Sequence, residues 1–235
     1  MTGDALARIR LYEGAIPEAW IAPLVAFVTS HPTRSYFWRS RSLPANTLIE
    51  QVVDRLAEAG DVHVPWTGAE VWWRAQRTNS TRPFHFDRDE RITDHVRSPL
   101  VSSILYLSDV GGPTIIVDAE AESIRPPSRA VAVTPRAGRF VTFPGALFHG
   151  VMAAEDNPLP RVVVLVNWWA ERPLAALDLD ADVSSTMVEA AAMSSPAPPT
   201  EPTTFDASEL FDEPTWRRML LRAQFQPPKP QTPEK

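Results

Sequence analysis

The sequence predicts a mainly β domain, α+β in composition, with helices before it and a proline-rich tail after it. Three observations predict this. Apolar residues recur at a period near 3.6 through the first 60 residues and at a period near 2 from about residue 68. Short β-rich runs then follow one another to about residue 170, each bounded by Gly, Pro, Asn or Asp, with no helical segments between them. That pattern belongs to an antiparallel sandwich, barrel or jelly roll rather than to βαβ units. Prolines, 24 in 235 residues, crowd toward the end, where residues 196–235 hold nine of them.

The elements follow in order. Pro23 suits the first turn of a helix whose Leu24, Phe27 and Val28 share a face before Pro32 stops it. In NTLIEQVVDRLAEAG, Asn46 is placed to cap a helix, Leu48, Val52, Val53 and Leu56 form its apolar stripe, and Gly60 ends it. These helices, within residues 1–67, are expected to support a sheet. The β core, about 68–170, is read from EVWWRAQ, PFHFD, LVSSILYLS, PTIIVD, RAVAVTP, GRFVTFPG and RVVVLVNWW. The domain is expected to span 1–180 and the tail 181–235. Within the tail, EPTWRRMLLRAQF sets Trp216, Met219, Leu220 and Ala223 at helical spacing behind Pro214. A short helix near 214–225 is predicted, folded back on the core or awaiting a partner.

Composition narrows the function. A net charge of −6 and a pI near 5.4 argue against nucleic acid, whose phosphates call for a positive field. Without cysteine there is no disulfide framework and no thiolate metal site, so a transition metal would need His and carboxylate. No basic segment followed by an apolar run opens the chain, and no stretch of about 18 apolar residues suggests a membrane span. The expectation is a soluble cytoplasmic protein that meets neither membrane nor nucleic acid. Oligomeric state is left open.

RPFHFDRDE, residues 82–90, carries the chemistry. His85 and Asp87 are two apart, so on a strand they share a face while Phe86 takes the other. A carboxylate facing a barrel interior needs compensation, and a divalent cation supplies it. Of the four other histidines, His31 falls at a helix end, His63 in a loop and His95 in a charged loop. His149, at the start of a late strand after a Pro-Gly turn, is the best third ligand. Two imidazoles and one carboxylate on one face of a metal suit non-haem Fe(II), leaving positions open for a cosubstrate and O2. The open positions and residual positive charge favour an anionic bidentate cosubstrate. Arg161 opens a buried Val run, and its fork of donors suits a carboxylate. Alternation puts Arg161, Val163, Leu165, Asn167 and Trp169 on one face. Tyr106 can donate its hydroxyl to the same carboxylate. Asn167 faces inward by the same periodicity, either toward the cosubstrate or to satisfy backbone groups.

The ordered set HFD, LYLSDVGGPT, GRFVTFPGALFHGV and an Arg on the next strand resembles the 2-oxoglutarate/Fe(II)-dependent oxygenase superfamily, in particular its prolyl-hydroxylase-like branch, over roughly residues 68–170. The resemblance implies a double-stranded β-helix, a jelly roll. It implies iron ligation by His85, Asp87 and His149, and pairing of Arg161, assisted by Tyr106, with the distal carboxylate of 2-oxoglutarate. It further implies conversion of 2-oxoglutarate and O2 to succinate and CO2 with hydroxylation of an unactivated C–H in a small molecule or peptide. Asp87, where halogenating relatives carry a small residue, favours hydroxylation or desaturation over halogenation. The chain departs from the pattern before HFD, where RAQRTNSTRP replaces a glycine-rich turn. It departs again between His149 and Arg161, where EDNPLP suggests a longer turn. No lysine precedes residue 229, so arginine alone is available for the carboxylate.

Trp72, Arg74 and Gln76 would share a strand face before HFD, with Trp73 on the other, and form an aromatic and basic mouth for a polar or anionic group. Arg88, Asp89, Glu90 and Arg91 read as a solvated charge cluster. Two other readings stand beside the oxygenase: a cupin-type metal dioxygenase that does not use 2-oxoglutarate, and a non-catalytic jelly-roll binding module with the tail as its arm. No P-loop, GxSxG, GxGxxG or HExxH stretch is present.

Overall fold

A computed structural model describes residues 4–32, 35–60, 62, 64–121, 123, 125–178, 198–208 and 210–224. After a 3-10 turn at Leu6–Arg8 come strand β1 (Arg10–Tyr12), helix α1 (Glu18–Ser30), β2 (Phe37–Ser40) and α2 (Leu48–Ala59). Eight strands form the core: β3 (Gly68–Gln76), β4 (Arg82–His85), β5 (Val101–Tyr106), β6 (Thr114–Glu120), β7 (Arg129–Val133), β8 (Phe140–Pro144), β9 (Leu147–Val151) and β10 (Arg161–Trp169). Then come β11 (Leu177–Asp178), β12 (Thr204–Asp206) and α3 (Glu213–Gln224).

The strands lie in two sheets. The larger runs β1-β8-β5-β10-β3-β2-β11 and the smaller β12-β7-β6-β9-β4. Successive core strands cross from one sheet to the other except at the β6–β7 hairpin, and all core pairings are antiparallel. This is a jelly roll, a double-stranded β-helix.

Three apolar layers hold it. Between the sheets lie Ile104, Tyr106, Ile116, Val131, Val141, Phe143 and Val163. Behind the larger sheet, α1 and α2 pack Trp20, Leu24, Leu48, Val52 and Leu56 against Val71, Trp73, Val164 and Trp168. Behind the smaller sheet, Trp216 of α3 joins Phe86, Val117, Phe148 and Phe211. Strand β10 shows the logic: even-numbered Val162, Val164, Val166 and Trp168 face the helices, and odd-numbered Val163 and Leu165 face the barrel. A continuous apolar run is what a strand covered on both faces requires.

Several local readings differ from the structure. Pro23 lies inside α1, as its sixth residue, not in its first turn. Burial of Trp20 and Leu24 carries the helix through a residue that donates no hydrogen bond. Thr47, not Asn46, caps α2: its hydroxyl accepts the Glu50 N–H at 3.2 Å, and the Glu50 carboxylate accepts the Asn46 N–H at 2.8 Å. That is a capping box displaced by one residue. The N-terminal region holds two strands as well as helices, because β1 and β2 extend the larger sheet. Asp89 is fully buried rather than solvated. It accepts the Leu174 N–H at 2.7 Å and pairs with Arg97 at 3.4 Å, tying the segment after β4 to the segment after β10. Among the described residues, no helix is long and apolar enough to cross a membrane.

Candidate metal centre

Strands β4 and β9 are neighbours, with His85 opposite His149 in register. Gly150 permits the close approach, since a Cβ there would sit 2.8 Å from the Phe84 ring. His149 is the third residue of β9 rather than its first. Asp87 follows just past the end of β4. His85 Nε2 lies 3.8 Å from Asp87 Oδ1 and His149 Nε2 lies 3.7 Å from Asp87 Oδ2. The three ligand atoms all lie within 4.8 Å of one another.

These separations are too long for hydrogen bonds. Ligand atoms held at right angles about 2.1 Å from one cation stand about 3 Å apart, so a slight contraction would close the set on an ion. The imidazoles are aimed for this. His85 Nδ1 meets the Pro83 carbonyl at 2.9 Å, and His149 Nδ1 meets the Leu147 carbonyl at 2.9 Å. A carbonyl only accepts, so each Nδ1 carries the proton and each Nε2 presents its lone pair to the centre. Asp87 Oδ2 accepts from the Ser102 hydroxyl at 2.7 Å.

The electrostatics favour a cation. Burial, then the nearby His149, push His85 down to about 3 against the opposing pull of Asp87, so the ring stays neutral. For Asp87, burial works against the charge, but His149, His85 and the Ser102 hydrogen bond together hold its pKa below the usual carboxylate range. The neutral His85 ring, the His149 imidazole and one carboxylate therefore meet at a single point, open enough that the His85 side chain keeps 23% of its exposure. The donor set fits a divalent transition metal.

Arg161 begins β10 at the other end of the barrel and is 5% exposed. Its Nη2 donates to Thr114 Oγ1 at 3.1 Å, its guanidinium lies 5.3 Å from the Tyr106 ring centroid, and its Nε has no partner. Among the described residues no carboxylate pairs with it. Burial lowers its pKa, with Tyr106 opposing. The Tyr106 hydroxyl also donates to Thr114 Oγ1, at 2.8 Å. Thr114 thus accepts two bonds and keeps its own proton to donate. The double glycine before it has a steric role. Gly111 has φ +106°, and a Cβ there would sit 2.6 Å from the Arg161 side chain; a Cβ on Gly112 would strike the Met152 carbonyl.

The remaining candidates spread along the inner face. Gln76 is opposite Arg161 and Arg74 opposite Val163, both half-buried. Trp72, opposite Leu165, meets Tyr36 edge-on at 5.2 Å. Trp73 faces the helices and donates to the His31 carbonyl at 2.6 Å. Asn167 is six residues along β10 from Arg161, about 20 Å at strand rise, so the structure does not bring it to the guanidinium. It stands between Ser102 and Glu70 at the metal end, and its Oδ1 has no partner. His31 caps α1, stacked on Phe27, and His95 is exposed beside Asp94. His63 lies outside the described residues.

Sequence reasoning missed Thr114, Ser102 and Glu70. Glu70 was within reach of the alternation already used for Trp72 and Arg74, since it precedes Trp72 by two. It is 3% exposed, and burial, then the charge of Asp87, push its pKa up to about 8.

No protein-family model matches the sequence, and no curated protein matches it. Solved structures are similar to it at low identity. A prolyl-4-hydroxylase from Pseudomonas putida is 20% identical, over 72% of this chain and 89% of that one, with a TM-score of 0.49. SnoK, a non-haem α-ketoglutarate-dependent carbocyclase from nogalamycin biosynthesis, is 12% identical over 73% and 85%, with a TM-score of 0.47. HygX from Streptomyces hygroscopicus, solved with nickel and 2-oxoglutarate bound, is 14% identical over 72% and 87%, with a TM-score of 0.43.

Proposed function

We propose that the chain is an Fe(II)- and 2-oxoglutarate-dependent oxygenase that hydroxylates a C–H bond of a small-molecule or peptidyl substrate. One observation carries the reading: a metal-competent triad and a buried, anion-free guanidinium occupy the same barrel interior. A dicarboxylate with an oxo group beside one carboxylate is complementary to both. Its 2-oxo acid end would chelate the metal, and its distal carboxylate would receive Arg161.

Each residue has a task. His85, Asp87 and His149 would hold the metal on one face and leave the opposite positions for ligands. Ser102 fixes Asp87 Oδ2, which orients the remaining oxygen toward the metal. Arg161 and the free Thr114 proton would bind the distal carboxylate, and Tyr106 holds Thr114 in place. Ile104, Val163 and Leu165 line the stretch between and keep it dry. Iron, when bound, would supply O2 activation coupled to the oxidative decarboxylation of 2-oxoglutarate to succinate and CO2. Because a carboxylate fills the third ligand position, halide has no place in the coordination set, and hydroxylation is the outcome proposed.

The buried Arg161 disfavours a metal dioxygenase without an organic acid cosubstrate, which would leave that cation uncompensated. Anaerobic titration with Fe(II) and 2-oxoglutarate tests the proposal. A charge-transfer band that requires both components, and that Arg161→Ala removes without loss of metal, is the expected result. Metal binding without any effect of 2-oxoglutarate would overturn it.

A further inference from the structure

We propose that Glu70, together with Asn167 and the aromatic rings beside them, forms a subsite on the metal-facing wall for a cationic nitrogen, ammonium or guanidinium, of the prime substrate. The inference rests on the oxygenase reading for its location and extends it to substrate class.

Strand register places the subsite. Ser102 on β5, Asn167 on β10, Glu70 on β3 and Trp38 on β2 are successive partners across the larger sheet. Ser102 is bonded to the metal-ligand carboxylate, which puts the row level with the triad. Glu70 alternates with Ala69 and Val71, which face the helices, so Glu70 faces the barrel. Its electrostatic coupling to Asp87 agrees with that placement.

The polar groups of this row are incompletely used. Asn167 Oδ1 is buried without a partner. Glu70 is met by the Asn167 and Trp169 side chains, but among the described residues it makes no ion pair. Buried acceptors left unpaired are costly, and native structures keep few of them. An unpartnered amide oxygen beside a carboxyl group that lacks a cation suits a donor with several N–H groups. The neighbouring rings suit a cation as well. Trp38 lies over Gly68, where a Cβ would collide with its indole, and Trp72 and Tyr36 meet edge to face one row along. Aromatic faces next to a carboxylate are the recurrent means of holding an ammonium or guanidinium. The raised proton affinity of Glu70 fits an acid waiting for its counter-ion.

The test uses full-length protein loaded with Mn(II), with and without 2-oxoglutarate. The probes are n-butylammonium, n-butylguanidinium, n-butyrate and n-butanol, followed by paramagnetic relaxation of their protons. The expected result is saturable relaxation of the two cations only, weakened at least tenfold by Glu70→Gln while Mn(II) affinity stays unchanged. Equal binding of cations by wild type and Glu70→Gln, no cation binding at all, or preference for butyrate would each overturn the proposal. If cation selectivity depends on Glu70 but 2-oxoglutarate does not bind, the subsite stands and the oxygenase reading falls. If 2-oxoglutarate binds and is consumed but the cations show no dependence on Glu70, only the subsite falls.

Discussion

Replacing Glu70 with glutamine should stabilise the metal-free protein, and by an amount that grows with pH. Burial and the Asp87 charge raise the Glu70 carboxyl to about 8 from the ordinary 4.5. The folded state therefore holds this proton more tightly than the unfolded chain does. The associated stability is fully present below about 4.5 and is lost as pH rises through about 8. At about 1.4 kcal/mol per unit, the full shift amounts to roughly 5 kcal/mol, of which about 2 kcal/mol is already lost at pH 6. The gap between wild type and Glu70→Gln should thus widen by about 2–3 kcal/mol between pH 6 and pH 9. His85 is pushed down to about 3 and Asp87 is lowered, so both titrate well below this window. Urea unfolding of both proteins in EDTA at several pH values reads the gap directly. Differences in packing between Glu and Gln cancel, because only the change with pH is used. A gap that stays constant within about 0.5 kcal/mol from pH 6 to 9 would refute the reasoning. Placing a divalent cation on Asp87 removes part of the repulsion, so the same series with Mn(II) should show a smaller change.

The other predictions are local. Arg161→Met should raise the dissociation constant of 2-oxoglutarate at least a hundredfold by equilibrium titration, while the metal-free melting temperature does not fall, because a buried cation without an anion is removed. Gly111→Ala should weaken 2-oxoglutarate binding and lower the melting temperature, since the added Cβ both strains a φ of +106° and displaces Arg161. His149→Ala should abolish Mn(II) binding seen by relaxation titration, with little change in the far-ultraviolet spectrum. Trp216→Ala should cost about 3–5 kcal/mol, as for other large-to-small core changes, and should also weaken metal affinity. Trp20→Ala, a comparable loss behind the other sheet, should leave metal affinity intact.

Much of this architecture is legible from periodicity. The change of period near residue 60 and the Val run of β10 follow from which faces are covered, and covering is what apolar patterning records. His85 and Asp87 are readable as a pair because strand alternation is local. What is not local is register. Which residue of β3 meets Asn167 depends on a pairing between residues 97 apart, and which residue of β5 meets Asp87, 15 residues away, depends on how the two sheets face each other; no sequence rule supplies either. Ser102, Thr114 and the position of Asn167 were hidden for that reason. Asp89 looked solvated because its neighbours are charged; its burial depends on a backbone N–H from Leu174, 85 residues on. The short edge strands β1, β2 and β12 carry too few residues to show a period of their own.

The same alternation explains why the C-terminal helix bears on the metal centre without touching it. On β9, and on β4 with the two residues that follow it, the inward residues are the candidate ligands and the outward residues are aromatic: Phe86 lies between His85 and Asp87, and Phe148 precedes His149. Phe86 and Phe148 pack with centroids 4.6 Å apart, and Trp216 meets Phe148 edge-on at 5.2 Å. Side chains that alternate across a pleat cannot move independently, because they share a backbone. The apolar layer under α3 therefore sets the position of the ligand strands, and the ligand geometry inherits its precision from contacts on the opposite face. In this chain a tail rich in proline nonetheless supplies a fully buried tryptophan to that layer. The metal centre is built from one side of the smaller sheet and braced from the other.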